Sequence, residues 1–381
     1  MRARRALKDS RMSLTPAAPA AAWIDRRAGL DAWLAGLPAD AALGLDTEFM
    51  RRNTFYPQLA LLQLGWNGGY ALVDPLAFDI GQSLHPLRES RTVVMHSASE
   101  DLEALAPLLP GGPHELFDTQ IAAAFVGMGL GLSYRALVAE LVGAELDKGE
   151  TRSDWLQRPL TESQKIYATL DVVHLEPVHA QLRERLERRG RSAWHAEDCA
   201  RLKARAGQRA ADPQPQRAFR AAAEWPAEKQ ALLRRILLWR ERSARELDRP
   251  RPWLLEDALA LDLAQSPPRT PGELEQRARG QRALRSAQRA QLFELLAAPV
   301  EAEEIAATAT IPGYPQGQAK QALAAMKDFV DRRAAELDLP PGLLCPRKVL
   351  EEYVVTAEWP DFLDGWRRGL LADRLPALLP G

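Results

Sequence analysis

Cysteine is scarce in this sequence. Its 381 residues include two, Cys199 and Cys345, which lie far apart. They form neither a metal-ligand spacing nor a disulfide framework, which excludes a small cystine-stapled fold and fits a reducing compartment. Long apolar runs are missing too. No stretch approaches the roughly 18 apolar residues that a membrane-spanning helix needs. The N-terminal segment MRARRALKDSRMSLTPAAPAAAW is basic, then rich in alanine and proline. Pro16 and Pro19 interrupt the apolar core that a secretory signal requires. Residues 1–20 are therefore expected to be disordered, and the expected address is the cytoplasm. Excess charge of one sign is also absent. The 50 Lys and Arg against 51 Asp and Glu leave a formal net charge of −1, so a charged partner has to be argued from local patches.

What is present is ordinary globular material, 46% hydrophobic and 27% charged. At roughly 100–200 residues per domain, the length allows two or three domains. The first part alternates strand and helix signals. AALGLD (41–46), LALLQLGW (59–66), YALVD (70–74) and RTVVMH (91–96) are short apolar runs bounded by turn residues, and they read as strands. An NGG turn joins the second to the third, as in a hairpin. Helical patterns cover 100–109, 118–127, 132–142 and 161–187; the last opens on a capping box, Thr161 with Gln164. This order predicts an α/β domain over 21–205, a mixed sheet flanked by helices. ADPQPQ marks a linker within 206–219. Beyond it strand patterns disappear, and helices are expected at 227–247, 254–264, 271–277 and 281–297. Two segments there share one order: a helix ending in Ala-x-x-Leu-Asp, a Pro turn, an apolar helix, another Pro. They read as two diverged copies of a helical module, at 220–298 and 301–381.

The chemistry-bearing residues are acids. Asp46 and Glu48 are two apart, so a strand places both carboxylates on one face. Like charges that close repel unless a cation sits between them, and an oxygen-only ligand set suits Mg²⁺ or Mn²⁺. Taken alone, the pair also fits a solvated strand end. Asp101, in MHSASEDLEAL, falls in the first turn of a helix, where an acid commonly serves the helix dipole. Tyr167 and Asp171, in YATLD, share a helix face at i, i+4. An aromatic at that spacing is usually core, but the Asp needs a partner. Jointly, the four acids and the tyrosine make a constellation suited to two-metal phosphodiester chemistry. Cations about 4 Å apart stabilise both the attacking and the leaving oxygen.

These motifs, LDTEF, HSASEDLEAL and YATLD, resemble those of ribonuclease D, in the Tyr-containing branch of the DEDD exonuclease superfamily. The flanking DWLQRPLTESQKIYATLDVVHL adds to the likeness, which covers about 23–205. Residues 220–298 resemble the helical HRDC nucleic-acid-binding domain, and 301–381 a weaker second copy. The resemblance implies a ribonuclease H-like mixed sheet followed by two all-α HRDC-like bundles. It implies two divalent cations, Mg²⁺ or Mn²⁺. Asp46, Glu48 and Asp171 would hold one, Asp46 would bridge to the second, and Asp101 would support that second ion. Tyr167 would orient or deprotonate the attacking water. The implied activity is 3′-to-5′ exoribonuclease action on RNA such as precursor tRNA tails, releasing nucleoside 5′-monophosphates. A DNA exonuclease uses the same metal chemistry, and a retired nuclease acting as an RNA-binding scaffold is a third reading. A monomer, with no membrane association, is expected.

An exonuclease must also grip its strand, through phosphate contacts and base stacking. Phe49 is a candidate wedge against the terminal base, or a core residue. His96, Lys148, Trp155 and Arg158 lie on or beside the motifs and are candidate contacts. Packing is the competing role for Trp155, and a loop-holding salt bridge for Arg158. RARGQRALRSAQR (277–289) is basic without an acid. On a helix, Arg282, Arg285 and Arg289 would share one face at i, i+3, i+7, as a phosphate-binding or merely solvated surface.

Overall fold

The computed structural model describes residues 19–38, 40–146, 149–150, 153–207 and 211–380. The expected disorder of 1–20 therefore falls almost wholly outside the described residues.

A six-stranded sheet organises the first part. Its strands are β1 (Ala22–Ile24), β2 (Leu43–Met50), β3 (Gln58–Trp66), β4 (Gly69–Val73), β5 (Thr92–Met95) and β6 (Glu115–Asp118), in the spatial order β1-β4-β3-β2-β5-β6. The β2, β3 and β4 pairings are antiparallel, with the NGG turn closing the β3–β4 hairpin. The pairings of β1 with β4, β2 with β5 and β5 with β6 are parallel. The sheet is thus mixed, as expected. The short strands β1 and β6 were not legible in the sequence, because three or four residues carry too little alternation to register.

The helices of this part are α1 (Arg27–Ala35), α2 (His85–Glu89), α3 (Ser99–Leu105), α4 (Thr119–Phe125), α5 (Tyr134–Leu141), α6 (Glu162–Val173), α7 (Leu175–Arg188) and α8 (Ser192–Gly207). The single helix expected over 161–187 is two, broken at His174. Pro177 has no N–H to offer the carbonyl of Val173, so the ladder is interrupted there. The capping box holds: the Gln164 N–H donates to Thr161 Oγ1 and the Thr161 N–H to Gln164 Oε1. One sheet face buries Leu43, Leu45, Leu62, Leu64, Val73 and Met95 in a single cluster. The other receives α6 and α7. A Cβ on Gly44 would lie 3.2 Å from Leu175 Cβ, and one on Gly65 would lie 3.1 Å from the Val172 carbonyl. Two glycines therefore let the α6–α7 junction press directly on the central strands.

The remainder is helical: α9 (Ala227–Leu247), α10 (Arg251–Leu254), α11 (Asp257–Gln265), α12 (Pro271–Arg277), α13 (Ser286–Ala297), α14 (Ala302–Ala306), α15 (Gly317–Glu336), α16 (Pro341–Leu344), α17 (Arg347–Thr356) and α18 (Arg368–Leu371). Leu233, Ile236, Trp239, Leu263 and Leu292 centre the first helical cluster. Among the later helices, Met326, Val330, Leu350 and Trp366 join Phe125, Val178 and Leu182 of the α/β part in one cluster. Trp366 stacks on Trp194 at 4.8 Å, and Arg367 forks onto Asp198 at 2.6 and 2.7 Å. Asp248 after α9 and Asp338 after α15 both adopt positive φ, and a four-residue helix follows each. Asp248 docks on the α/β part: its Oδ1 accepts the N–H groups of Phe55 (2.9 Å) and Tyr56 (3.1 Å). Asp338 pairs with Arg189 at 2.6 Å.

Candidate active site

The site forms where β2 leaves the sheet. Alternation sends Leu43, Leu45 and Thr47 to one face and Gly44, Asp46 and Glu48 to the other. Asp171, on α6, descends onto that second face because the two glycines admit the helix. Carboxylate oxygens of Asp46, Glu48 and Asp171 lie within 4.8 Å of one another. Their side chains keep some exposed surface, yet protein atoms enclose them on most sides. Asp101 stands outside this trio. It lies in the first turn of α3, where the Thr47 hydroxyl donates to its Oδ1 at 2.5 Å. Thr47 thus ties the fourth acid to the strand that bears the first two.

The electrostatics are those of a cluster awaiting positive charge. Burial, then Asp101, Asp171 and Glu48, raise the Asp46 carboxyl well above the ordinary range. Glu48 is pushed up to about 9 by burial, with Asp171 and Asp101 adding to it. Asp171 rises to about 7 through burial and Asp101. Asp101 rises to about 6 through burial, opposed by its bond from Thr47. Neighbouring carboxylates that raise one another's pKa need a counter-charge, and an all-oxygen set in this arrangement fits a hard divalent cation.

Burial and the nearby Asp171, Glu48 and Asp46 also raise the Tyr167 hydroxyl, so it keeps its proton at neutral pH. The ring is fixed from two sides. Trp155 lies 6.0 Å from it, centroid to centroid. A Cβ on Gly149 would sit 2.5 Å from Tyr167 Cδ2, so the backbone there passes directly over the ring. Gly149→Ala is expected to displace the phenol and lower kcat roughly tenfold, an effect of the size a small misplacement of a reacting group produces. Single-turnover rates on a short oligonucleotide check this, and an unchanged rate refutes the bracing role.

The candidate strand-gripping residues separate in the structure. Phe49 follows a register shift in β2 directly, is half-buried, and belongs to no buried cluster among the described residues. His96 Nδ1 lies 2.9 Å from Thr119 Oγ1, its ring is 5.5 Å from Tyr134, and burial lowers its pKa. Lys148 lies outside the described residues. Two expectations are corrected. Trp155 is 2% exposed and packs with Leu61, Leu72 and Ala168, so its face is closed to a base. Arg158 is a loop clamp: it forks onto Asp74 at 2.7 and 2.8 Å and donates to the Ala60 and Trp155 carbonyls, which occupies the guanidinium.

The single arginine face is corrected as well. Helix α13 starts at Ser286, so Arg282 and Arg285 belong to the loop before it. Burial of Ala283 and Leu284, with the Ala283 N–H donated to the Trp253 carbonyl (2.7 Å) and the Arg285 N–H to the Ala283 carbonyl (3.0 Å), holds that loop bent rather than helical. Arg282 lies over the Trp253 ring at 5.2 Å, while Arg289 is drawn to Glu275 at 3.9 Å.

Sequence reasoning missed three neighbours of the cluster. Thr47 is one. Tyr134 is another: it is enclosed, its hydroxyl accepts the His174 N–H (3.3 Å), and burial followed by Asp171 raises its pKa. Gln63 pairs across the ladder with Asp46, is fully buried, and its side chain has no partner among the described residues. Its signal was visible, a lone polar residue inside the apolar run LALLQLGW. Directly opposed residues point to one face about 5 Å apart, so its amide neighbours Asp46.

A mixed sheet whose central strand delivers two acids to a third on a crossing helix, with a tyrosine one turn before that third acid, defines a 3′-5′ exonuclease domain. Residues 21–187 match the family model described as 3′-5′ exonuclease, and residues 229–293 match the HRDC domain. The chain is 40% identical over 347 residues to ribonuclease D of Xanthomonas oryzae pv. oryzae, covering 89% of this chain and 93% of that one. It is 32% identical over 356 residues to ribonuclease D of Escherichia coli, covering 89% and 92%. The crystal structure of E. coli RNase D, described as an exoribonuclease involved in structured RNA processing, superposes with a TM-score of 0.79 at 28% identity. That match spans 94% of this chain and 98% of that one. The chain belongs to the ribonuclease D family.

Proposed function

We propose that this protein is a metal-dependent 3′-to-5′ exoribonuclease that shortens RNA from its 3′ end, releases nucleoside 5′-monophosphates and trims structured RNAs such as precursor tRNA tails. The observation that carries the reading is the convergence of Asp46, Glu48 and Asp171 within 4.8 Å beneath a protonated Tyr167, in a chain of this family. Asp46, Glu48 and Asp171 would hold a divalent cation, Mg²⁺ or Mn²⁺, and Asp101 would extend the acidic set toward a second. Such cations would supply positive charge for the attacking and leaving oxygens of a phosphodiester. Tyr167, its hydroxyl kept neutral, would orient the attacking water by a hydrogen bond. Thr47 fixes Asp101, and Trp155 fixes the Tyr167 ring.

Phe49, beside the acids, meets the terminal base. His96 and Lys148 contact the backbone nearby, and Arg282 and Arg285 take phosphates upstream. The exonuclease unit is 21–205, the linker 206–219, the HRDC unit 220–298, and 301–381 a diverged second copy of it. The shared order of long helix, left-handed Asp and four-residue helix supports the duplication. Among the described residues no helix is long and apolar enough to cross a membrane. We place the protein in the cytoplasm as a monomer.

The test is a time course on a 3′-extended precursor tRNA and a DNA oligomer of equal length, with Mg²⁺, with Mn²⁺ and with chelator. Stepwise 3′ shortening of the RNA, abolished by chelator, is expected. Faster loss of the DNA would overturn the RNA assignment. Binding without turnover in either metal would overturn the enzymatic one.

A further inference from the structure

A lone amide is buried beside the carboxylates: Gln63, mid-strand in β3 between Leu62 and Leu64. None of its surface reaches solvent. Neither its Oε1 nor its Nε2 has a hydrogen-bond partner among the described residues. Other buried glutamines are placed differently. Gln164 accepts the Thr161 N–H and donates to the Asp154 carbonyl. Gln230 accepts the Ile311 N–H and donates to the Ala223 and Trp225 carbonyls. Burying an amide with both ends unpaired is costly, and an apolar residue would suit the rest of this strand better. Ala60, Leu61, Leu62 and Leu64 are all fully buried around it.

The ladder fixes what lies beside the amide. In the β2–β3 register Gln63 stands directly opposite Asp46. Both side chains leave the same sheet face, with Cβ atoms about 5 Å apart, which a long side chain spans. Toward β4 its opposite number is Leu72. Leu61, two residues back on the same face, packs with Leu72 and with Ala168 of α6. These neighbours are apolar, which leaves Asp46 as the polar side chain that the register brings to the amide. The Asp46 carboxylate takes the Thr47 backbone N–H, while the Thr47 hydroxyl serves Asp101. A carboxylate offers about four acceptor positions, so Asp46 has room for both a cation and an amide.

We propose that Gln63 is a positioning residue for the metal site: its Nε2–H donates to the Asp46 carboxylate when Asp46 binds a divalent cation, and so fixes the lone pairs that Asp46 turns to the ion. The proposal rests on the metal-dependent reading and deepens it by naming what orients one of its carboxylates. A carboxylate on a metal is ionised, and a hydrogen bond to an ionised acceptor is stronger than one between neutral groups. Metal ligands are commonly held by a partner of this kind. Only the N–H end of the amide suits a carboxylate, so Asp46 rather than the apolar surroundings sets which way the amide turns. The unpaired amide weakens the metal-free fold, and the same amide is a donor already in place when the cation binds.

The experiment uses the full chain, as wild type and as the apolar variants Gln63→Met and Gln63→Leu. Mn²⁺ binding is measured without RNA, by the electron paramagnetic resonance of the free ion, and thermal melts are run in chelator. Loss of the amide is expected to weaken Mn²⁺ binding roughly 10- to 100-fold. The melting temperature in chelator is expected to stay unchanged or to rise, because an apolar side chain removes an unpaired buried group. The Mn²⁺ concentration for half-maximal RNA shortening should move by the same factor as the affinity. A merely structural amide gives the reverse pattern, an earlier melt with an unaltered affinity. Binding within about twofold of wild type therefore overturns the proposal. A lowered melt in both variants also overturns it, since the amide then serves the core. Where one variant melts early through poor fit, the other decides. A wild type that binds no Mn²⁺ sinks the metal-dependent reading itself, whereas a wild type that binds it with unaltered affinity in the variants sinks the role of Gln63 alone.

Discussion

Asp46→Asn is expected to abolish hydrolysis and, in the same protein, to raise the melting temperature of the metal-free form. The activity arm follows from position. Asp46 is the most enclosed acid of the trio, and its carboxylate feels Asp101, Asp171 and Glu48 together. Loss of one charged group at a site of charge development costs roughly 10³-fold or more in kcat. The stability arm follows from the same geometry. With no cation present, four acids held together repel one another, and a neutral isostere relieves that repulsion by an amount on the order of 1 kcal/mol. Asp171→Asn should behave alike, because it too is enclosed and raised. Exonuclease rates in Mn²⁺ and a thermal melt in chelator at pH 8 read the two arms. Full activity in either variant would end the metal assignment, while lost activity with a lowered melt would mean the acids serve the fold instead.

Mn²⁺ should stabilise the protein, and more strongly at pH 8 than at pH 5. Glu48, Asp171 and Asp101 have folded-state values of about 9, 7 and 6, against ordinary carboxyl values of about 4. These are raised acids. Their favourable contribution to the metal-free fold is complete below about pH 4 and is lost as the pH rises through about 6 to 9. A bound cation supplies the counter-charge that the fold then lacks, and it competes less with protons as they leave. At a hundredfold excess over Kd, binding to the native state alone adds about 2.7 kcal/mol. For a unit of this size that is roughly 5–10 °C. Melts with and without Mn²⁺ at the two pH values decide it. A shift equal at both, or larger at pH 5, would show that the carboxylates are already ionised and compensated.

The acids and Tyr167 were legible in the sequence because their chemistry leaves a local mark. Asp46 and Glu48 interrupt an apolar strand at a spacing that fixes their common face. Asp171 sits one helical turn beyond Tyr167 behind a capping box that sets the helix start. Thr47 and Tyr134 left no such mark, since a hydroxyl in a strand or helix is unremarkable until something packs against it. Trp155 and Arg158 show the opposite case. Each looks like a nucleic-acid contact in a list of residue types, yet burial closed one and Asp74 occupied the other.

By itself, then, the sequence determined the alternation of the central strands, the common face of the first two acids, the pairing of Tyr167 with Asp171, and a helical second half. These depend on the periods of strand and helix, which act over a few residues. Tertiary structure alone decided the rest. Gly44 and Gly65 admit α6 and α7 close enough to bring Asp171 onto β2. The loop before α13 is held out of the helix because the Ala283 N–H binds the Trp253 carbonyl, which takes Arg282 and Arg285 off the expected helix face. Asp248 clamps the loop leaving the active site across a separation of 193 residues from Phe55. No local rule of sequence reaches that far, because such contacts are set by which surfaces the whole chain buries against one another.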